Sequence, residues 1–225
     1  MYPMKHLVVL SGAGMSAESG LKTFRDSNGL WEGHDVMSVA SPQGFKSNPE
    51  LVLEFYNQRR RQLLEVKPNS GHQYLADLER DFKVSIVTQN VDDLHERAGS
   101  KSVLHLHGEL FKVRSTYDSS DVKEWKNDLT IGDLCSKGHQ LRPDIVWFGE
   151  EVPAIARAIS ICEKADVLII IGTSMQVYPA ANLINYAEPR TEIYYIDPNP
   201  AAVHHPKLTV IAEKASSGLK KINFK

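Results

Sequence analysis

Residues 7–17 read LVVLSGAGMSA, four apolar residues followed after Ser11 by Gly12-x-Gly14 and the start of an alanine- and serine-containing segment. A short, unbroken apolar run is the pattern of a strand buried on both faces of a parallel sheet. Where such a strand delivers the chain through Gly-x-Gly into a helix, unpaired backbone N–H groups and the positive helix end fall together, which suits a pyrophosphate. The chain continues as ESGLKTFRDSNGLW over 18–31, adding an arginine and aromatics. Gly12-x-Gly14-x-x-Ala17 is a short pattern, and the same turn also serves merely to join a strand to a helix. The rest of the chain has to decide between these readings.

Further strands of the same type are predicted at Val84–Thr88, Val167–Ile171 and Ile193–Ile196, each running into a loop of small or polar residues. Helical stretches are expected between them at Pro49–Leu64, Gly71–Arg80, Val152–Lys164 and Ala180–Ala187. This alternation predicts an α/β fold, a Rossmann-like doubly wound parallel sheet, with ligand groups gathered at the carboxyl ends of the strands. Two stretches interrupt it. Residues 31–70 carry helical material where a simple βαβ unit would have returned to the sheet, and 112–144 are polar. The expected organisation is one domain over 1–225, with a core from about 1–30, 71–111 and 145–225 and a smaller module built from both insertions.

Composition bounds the function. The 225 residues, 42% hydrophobic, suffice for a sizeable core. A formal charge of -2 carries no polyanion-binding signature, so nucleic acid is not an expected partner. The sequence has neither an 18-residue apolar run nor a cleavable signal pattern, which predicts a cytoplasmic protein with no membrane association. Cys135 and Cys162, two thiols far apart in sequence, are expected to be reduced.

Three further segments carry chemistry. Thr88-Gln89-Asn90-Val91-Asp92-Asp93 puts amides and carboxylates at a strand end, fit to hold a ribose or a carboxamide, or simply to cap the next helix. Leu104-His105-Leu106-His107-Gly108 alternates, so both histidines face one side of an extended segment, and either is a general base near neutral pH or a structural residue. Gly172-Thr173-Ser174 ends a strand with residues small enough for close approach to a ligand.

Together the segments resemble the sirtuins, the NAD-dependent protein-lysine deacylases. The resemblance rests on GAGMSAESGLKTFR at 12–25, TQNVDD at 88–93, LHGEL at 106–110, VWFGE at 146–150 and GTSMQVYP at 172–179, in order over most of the chain. An acidic residue ending an immediate second strand, expected of a dehydrogenase, is missing, so hydride transfer loses to a reaction that consumes NAD. The resemblance implies NAD as cofactor and acyl-lysine proteins as partners, with nicotinamide and O-acyl-ADP-ribose released. It leaves the oligomeric state open. Gly12, Ala13, Gly14 and Ser16 would cradle the diphosphate, with Phe24 and Arg25 in a loop over the nicotinamide ribose. Gln89, Asn90 and Asp92 would hold that ribose and the carboxamide, and His107, with Asn90 and Asp92, would form the catalytic set. Gly172, Thr173, Ser174 and Ala215 would meet the adenosine half. Tyr195 stands where related sequences often place an asparagine on the adenosine ribose, and Asp197 remains as an acceptor there. Val146, Trp147, Phe148 and Gly149 would pair with an extended substrate peptide. An ADP-ribosyltransferase using the same pocket and a non-catalytic NAD or ADP-ribose binder are the rival readings.

Tyr56 and Arg59 lie three apart on a predicted helix and match the Tyr-x-x-Arg pair of the branch that removes succinyl, malonyl and glutaryl groups. A guanidinium offers a planar fork to a terminal carboxylate and a phenol adds a donor. The sharpest departure from the family is metal. Arg114–Asp118 and Cys135–Gly138 stand where two Cys-x-x-Cys pairs usually hold structural zinc, and a single thiol of the set is present. No metal is therefore expected. A set of Cys135, His139, Asp118 and Asp121 has no recognisable zinc spacing, and packing of Tyr117, Trp125, Leu129, Ile131 and Leu134 is the expected replacement.

Overall fold

The computed structural model describes residues 4–22, 30–31 and 33–224. The chain begins with strand β1 (His6–Ser11) and a short helix α1 (Ala13–Ala17), followed by a small hairpin of β2 (Leu30–Trp31) and β3 (His34–Asp35). The first insertion continues through α2 (Val36–Val39), α3 (Pro42–Ser47) and the long α4 (Pro49–Glu65). Ser41 and Asn48 cap the last two, each accepting from a backbone N–H in the first turn, and each is followed by proline at the first helical position. Helix α5 (Ser70–Asp77), closed by an Asn69–His72 capping box, leads into β4 (Lys83–Thr88), α6 (Leu94–Arg97) and β5 (Val103–His105). Next come β6 (Gly108–Ser115), β7 (Val122–Glu124) and β8 (Leu141–Ile145), then α7 (Ile155–Cys162), β9 (Val167–Ile171), β10 (Glu192–Ile196), β11 (Leu208–Ile211) and α8 (Ala215–Leu219).

Six strands form one sheet in the order β11-β10-β9-β1-β4-β5, parallel throughout. Every residue of β1 and β9 is buried, as their apolar runs predict. Period-two alternation sends Val8 and Leu10 to a core shared with Ala158 and Cys162 of α7, and Leu7 and Val9 to a core shared with Leu75 of α5 and Leu219 of α8. Helices therefore cover both faces, the doubly wound arrangement read from the sequence. The stretch 180–186, expected as an α-helix, is a 3-10 helix, and the helix expected from Val152 begins only at Ile155. Among the described residues no helix is long and apolar enough to cross a membrane.

Strands β7, β6 and β8 form a separate antiparallel sheet against which α4 packs. Strands β6 and β8 run across the boundaries expected near 111 and 145. The packing expected to replace a metal staple is only partly correct. Leu129 is fully buried, but Tyr117, Ile131 and Leu134 are exposed, Tyr117 lying stacked on the His139 ring. Leu53, Val113, Cys135 and Leu141 fill the small core with Leu129, and Phe45 and Trp125 pack against it. A polar clamp adds to it: the Asn57 amide donates to Leu129 O at 3.0 Å and accepts from Leu129 N at 2.8 Å, fixing the second insertion to α4.

The Arg59-Arg60-Arg61 triplet divides three ways, because successive helical positions point about 100° apart. Arg61 reaches outward to Glu54 and Asp128. Arg60 is fully buried and donates to Leu110 O, Asn57 Oδ1 and Asn127 O, and burial lowers its pKa to about 10. Arg59 faces the central cavity.

Leu129→Ala is expected to destabilise the fold by roughly 2–5 kcal/mol, as buried leucine truncations do. Tyr117→Ala and Ile131→Ala should stay within about 0.5 kcal/mol, as exposed substitutions do. Denaturant midpoints at unchanged slope measure this, and equal losses at the three positions would contradict the packing described.

Candidate active site

A cavity of about 880 Å³ opens at the carboxyl ends of β1, β4 and β9, where the strand order reverses around β1. Its wall is set by a close crossing of two turns. Gly12 N donates to Ile171 O at 3.0 Å and Gly14 N to Gly172 O at 2.8 Å. A Cβ on Gly12 would lie 2.7 Å from Gly172 O and one on Gly14 2.8 Å from Gly172 Cα, while Gly172 itself has φ +61°. Glycine is required here because two backbones touch. The turn therefore does not offer all its N–H groups to a ligand, as the sequence suggested. Those of Gly12 and Gly14 are committed to β9, and among the described residues the Ala13 N–H takes no protein partner.

The residues expected at the site converge on this cavity. Gly12, Ala13, Gly14 and Ser16 line one part, Gln89, Asn90, Asp92 and His107 another. Gly172, Thr173, Ser174, Asp197 and Ala215 line a third. Tyr56, Arg59 and the segment Val146, Trp147, Phe148 and Gly149 complete it. Phe24 and Arg25 lie outside the described residues. Tyr195 is the exception. It is fully buried behind the wall, its hydroxyl donating to Thr173 O at 2.9 Å and accepting from Ala201 N at 3.0 Å. Its place in β10 turns it to the core on the α7 side, so it braces the Thr173 turn from behind.

Lys22, Gln62, Asn199 and Lys214 also line the cavity without having been singled out. Gln62 was within reach of the sequence, since it follows Arg59 by three on the same helix face. Lys214 and Asn199 come from loops whose positions only the fold sets.

Polar side chains on the floor are fixed by one another. Ser16 Oγ donates to Asp92 Oδ2 at 2.9 Å and accepts from Asn90 Nδ2 at 3.0 Å, and Gln89 Nε2 donates to Thr173 Oγ1 at 3.0 Å. Ser11 and Thr88 pair beneath them, with Thr88 Oγ1 also accepting from Asn90 N. Burial pushes the Asp92 carboxyl up to about 6 against the hydrogen bonds from Ser16 and Leu94 N that favour its ionised form.

The two histidines of LHLHG have opposite environments. His105 places Nδ1 at 2.9 Å from Asn90 O and Nε2 at 2.9 Å from Glu96 Oε1, so both nitrogens donate and the cation is held. Burial works against that charge, but the Glu96 carboxylate outweighs it and the pKa rises. His107 has Nδ1 at 3.0 Å from Gln89 O, which fixes the proton on Nδ1 and leaves Nε2 as the basic nitrogen. Burial lowers its pKa, partly offset by that carbonyl.

The segment Val146–Glu150 leaves β8 as a loop that ends in a turn. Its N–H groups at Val146, Phe148 and Glu150 donate to His107 O, Ala40 O and Trp147 O, and that of Trp147 to the Glu150 carboxylate. Among the described residues only Gly149 N–H in this segment is left for a peptide.

Residues 12–179 match the model of the Sir2 family. The chain belongs to that family. A protein of Helicobacter pylori described as an NAD-dependent protein deacylase is 63% identical over 204 residues, covering 91% of this chain and 89% of its own. One of Bacteroides thetaiotaomicron with the same description is 53% identical over 226 residues, with 97% of both chains covered. The crystal structure of a Sir2 homologue in complex with NAD superposes with a TM-score of 0.87 at 41% identity, over 97% of this chain and 88% of that one.

In an NMR titration His107 is expected to change charge below the ordinary 6.5 and to be Nδ1-protonated when neutral, while His105 titrates above 6.5. Glu96→Gln should lower His105 and leave His107 in place. The reverse order of the two histidines would refute the split.

Proposed function

We propose that this chain removes acyl groups ending in a carboxylate, such as succinyl and malonyl, from lysines of proteins, with acetyl-lysine as a further substrate. The broader activity follows from kinship: it is an enzyme of the sirtuin type, an NAD-dependent protein deacylase. The observation that carries the narrower reading is the presence of Tyr56 and Arg59, one helical turn apart on α4, in the wall of the cavity that also holds His107.

The cavity fits NAD by its chemistry. The carboxylates of Asp92 and Asp197 can each accept from ribose hydroxyls, Gln89 and Asn90 offer amides, Ala13 N–H and Lys214 can serve phosphate oxygens, and Ser16, its hydrogen on Asp92, lines the same turn. When bound, NAD supplies the ribose carbon to which the acyl oxygen is transferred, with nicotinamide as leaving group. His107 Nε2 takes the proton of a ribose hydroxyl, and the Gln89 carbonyl keeps the ring in the tautomer that allows it. Asn90 and Asp92, tied to Ser16, enter with their positions already set, so little order has to be created on binding. We read the domain as a single catalytic unit, with 31–70 and 112–144 forming the smaller module. The buried free thiols Cys135 and Cys162 accord with a cytoplasmic location.

That module is read as metal-independent. Asp118 is taken by Lys137 and Ser120, and His139 lies against Tyr117. Among the described residues no group of three His, Cys, Asp or Glu side chains could hold a metal ion. The purified protein should carry no stoichiometric zinc and keep its Tm in strong chelator. One zinc per chain by elemental analysis, released by Cys135→Ser, would overturn this.

Arg59→Met should lower succinyl-lysine kcat/KM roughly 10- to 100-fold, since it removes a charge-assisted hydrogen bond of about 1.5–3 kcal/mol. Acetyl-lysine asks nothing of the guanidinium and should lose far less. An acyl-lysine peptide panel read by mass spectrometry gives the ratio directly. A succinyl-to-acetyl ratio unchanged by Arg59→Met would refute the acyl preference.

A further inference from the structure

Tyr56 is 1% exposed, yet it is among the residues that line the cavity. Its one hydrogen bond to a described residue comes from Trp147 Nε1 at 3.0 Å. An indole N–H can only donate, so the phenolic oxygen must be the acceptor in this pair, and its own hydrogen points away from the indole. No described residue accepts that hydrogen. A buried O–H without an acceptor is costly, and the cavity is where one can be supplied.

The indole that imposes this direction is itself held on several sides. The Arg142 guanidinium lies over the ring at 3.3 Å from its centroid, and Phe45 packs at 5.2 Å. The backbone N–H of Trp147 donates to Glu150 Oε2 at 2.8 Å. Glu150 is fixed in turn by Arg142 at 2.6 and 3.0 Å and by Arg114 at 3.1 Å, while Arg142 also donates to Ile145 O at 2.8 Å. A rigid donor thus determines the orientation of a neighbouring hydroxyl. Burial raises the Tyr56 pKa, so the phenol remains a neutral donor across the working range.

We propose that Trp147 is a specificity-determining positioning residue: its indole N–H, by occupying the Tyr56 oxygen, presents the Tyr56 hydrogen to the terminal carboxylate of the acyl group. This rests on the acidic-acyl reading above and adds to it a residue that acts through Tyr56. An acetyl group, with no terminal acceptor, gains nothing from the oriented hydrogen. The terminal carboxylate changes neither charge nor bonding during the reaction, so its contact is equal in ground and transition states and should appear in KM.

The test is a double-mutant cycle on Trp147→Phe and Tyr56→Phe, with succinyl- and acetyl-lysine peptides compared on each enzyme. Trp147→Phe is expected to reduce the succinyl-to-acetyl kcat/KM ratio about 5- to 20-fold, less than loss of a whole hydrogen bond to a charged group, because the Tyr56 hydroxyl stays and only its direction is freed. The change should fall mainly on succinyl KM. In the Tyr56→Phe background the same substitution should leave the ratio within about twofold, because the hydroxyl to be oriented is gone. Replacing the Trp147 side chain by benzothienylalanine, which keeps the shape and drops the N–H, covers the case in which Trp147→Phe fails to fold. An equal fall of the ratio in both backgrounds, or none with either replacement, overturns the inference. Arg59→Met separates the two levels: if it moves the ratio while the Trp147 replacements do not, this inference alone falls, and if it does not, both fall.

Discussion

At the centre of the molecule two backbones cross in contact, the Gly12–Gly14 turn leaving β1 and the Gly172 turn leaving β9. Hydrogen bonds from Gly12 N and Gly14 N bind the turns together, so the start of α1 and the end of β9 are fixed to each other. Gln89, at the end of the neighbouring β4, is tied into the same layer through Ser11 O and Thr173 Oγ1. Tyr195 supports Thr173 from the core side. A side chain at any of the three glycines would separate the strand ends, and with them the floor of the cavity. The site is rigid there because the sheet is continuous beneath it.

Around that floor the protein assigns different charges to similar groups through their neighbours. His105 and His107 are two residues apart, but one faces Glu96 and a carbonyl and the other a carbonyl alone. The first has its charged form favoured and braces Asn90, and the second has its neutral form favoured, with Nε2 as the basic nitrogen. Asp92, enclosed and fed by Ser16, is pushed towards the same part of the pH scale as the histidines. Of these groups His107 and Asp92 line the cavity, and burial shifts the imidazole downward and the carboxyl upward, the kind of tuning on which acid–base chemistry near neutral pH draws.

Helix α4 performs three tasks with neighbouring residues. Asn57 and Arg60 hold the second insertion by its backbone, Tyr56 and Arg59 face the cavity, and Arg61 lies in solvent with Glu54 and Asp128. The clamp and the Leu129 cluster cross-link the second insertion to α4. One helix therefore connects the stability of the insertion to the shape of the cavity wall at Tyr56 and Arg59.

The sequence by itself determined what depends on periodicity and on local chain chemistry. The apolar runs at 7–10, 84–88, 167–171 and 193–196 sufficed for the parallel sheet, and glycine, amide and histidine segments at strand ends located the cavity, because a two-faced sheet leaves its ligand groups only there. Helical spacing placed Tyr56 and Arg59 on one face. Tertiary structure decided the rest. Tyr195 was turned into the core by the strand's alternation and its pairing, Tyr117 and Ile131 were left outside because Leu129, Cys135 and Leu141 already fill the small core, and Gly12 and Gly14 were drawn into bonds with β9. The Trp147 hydrogen bond to Tyr56 joins residues 91 positions apart. No local pattern encodes such a contact, since it exists only when α4 and the turn after β8 have packed against each other.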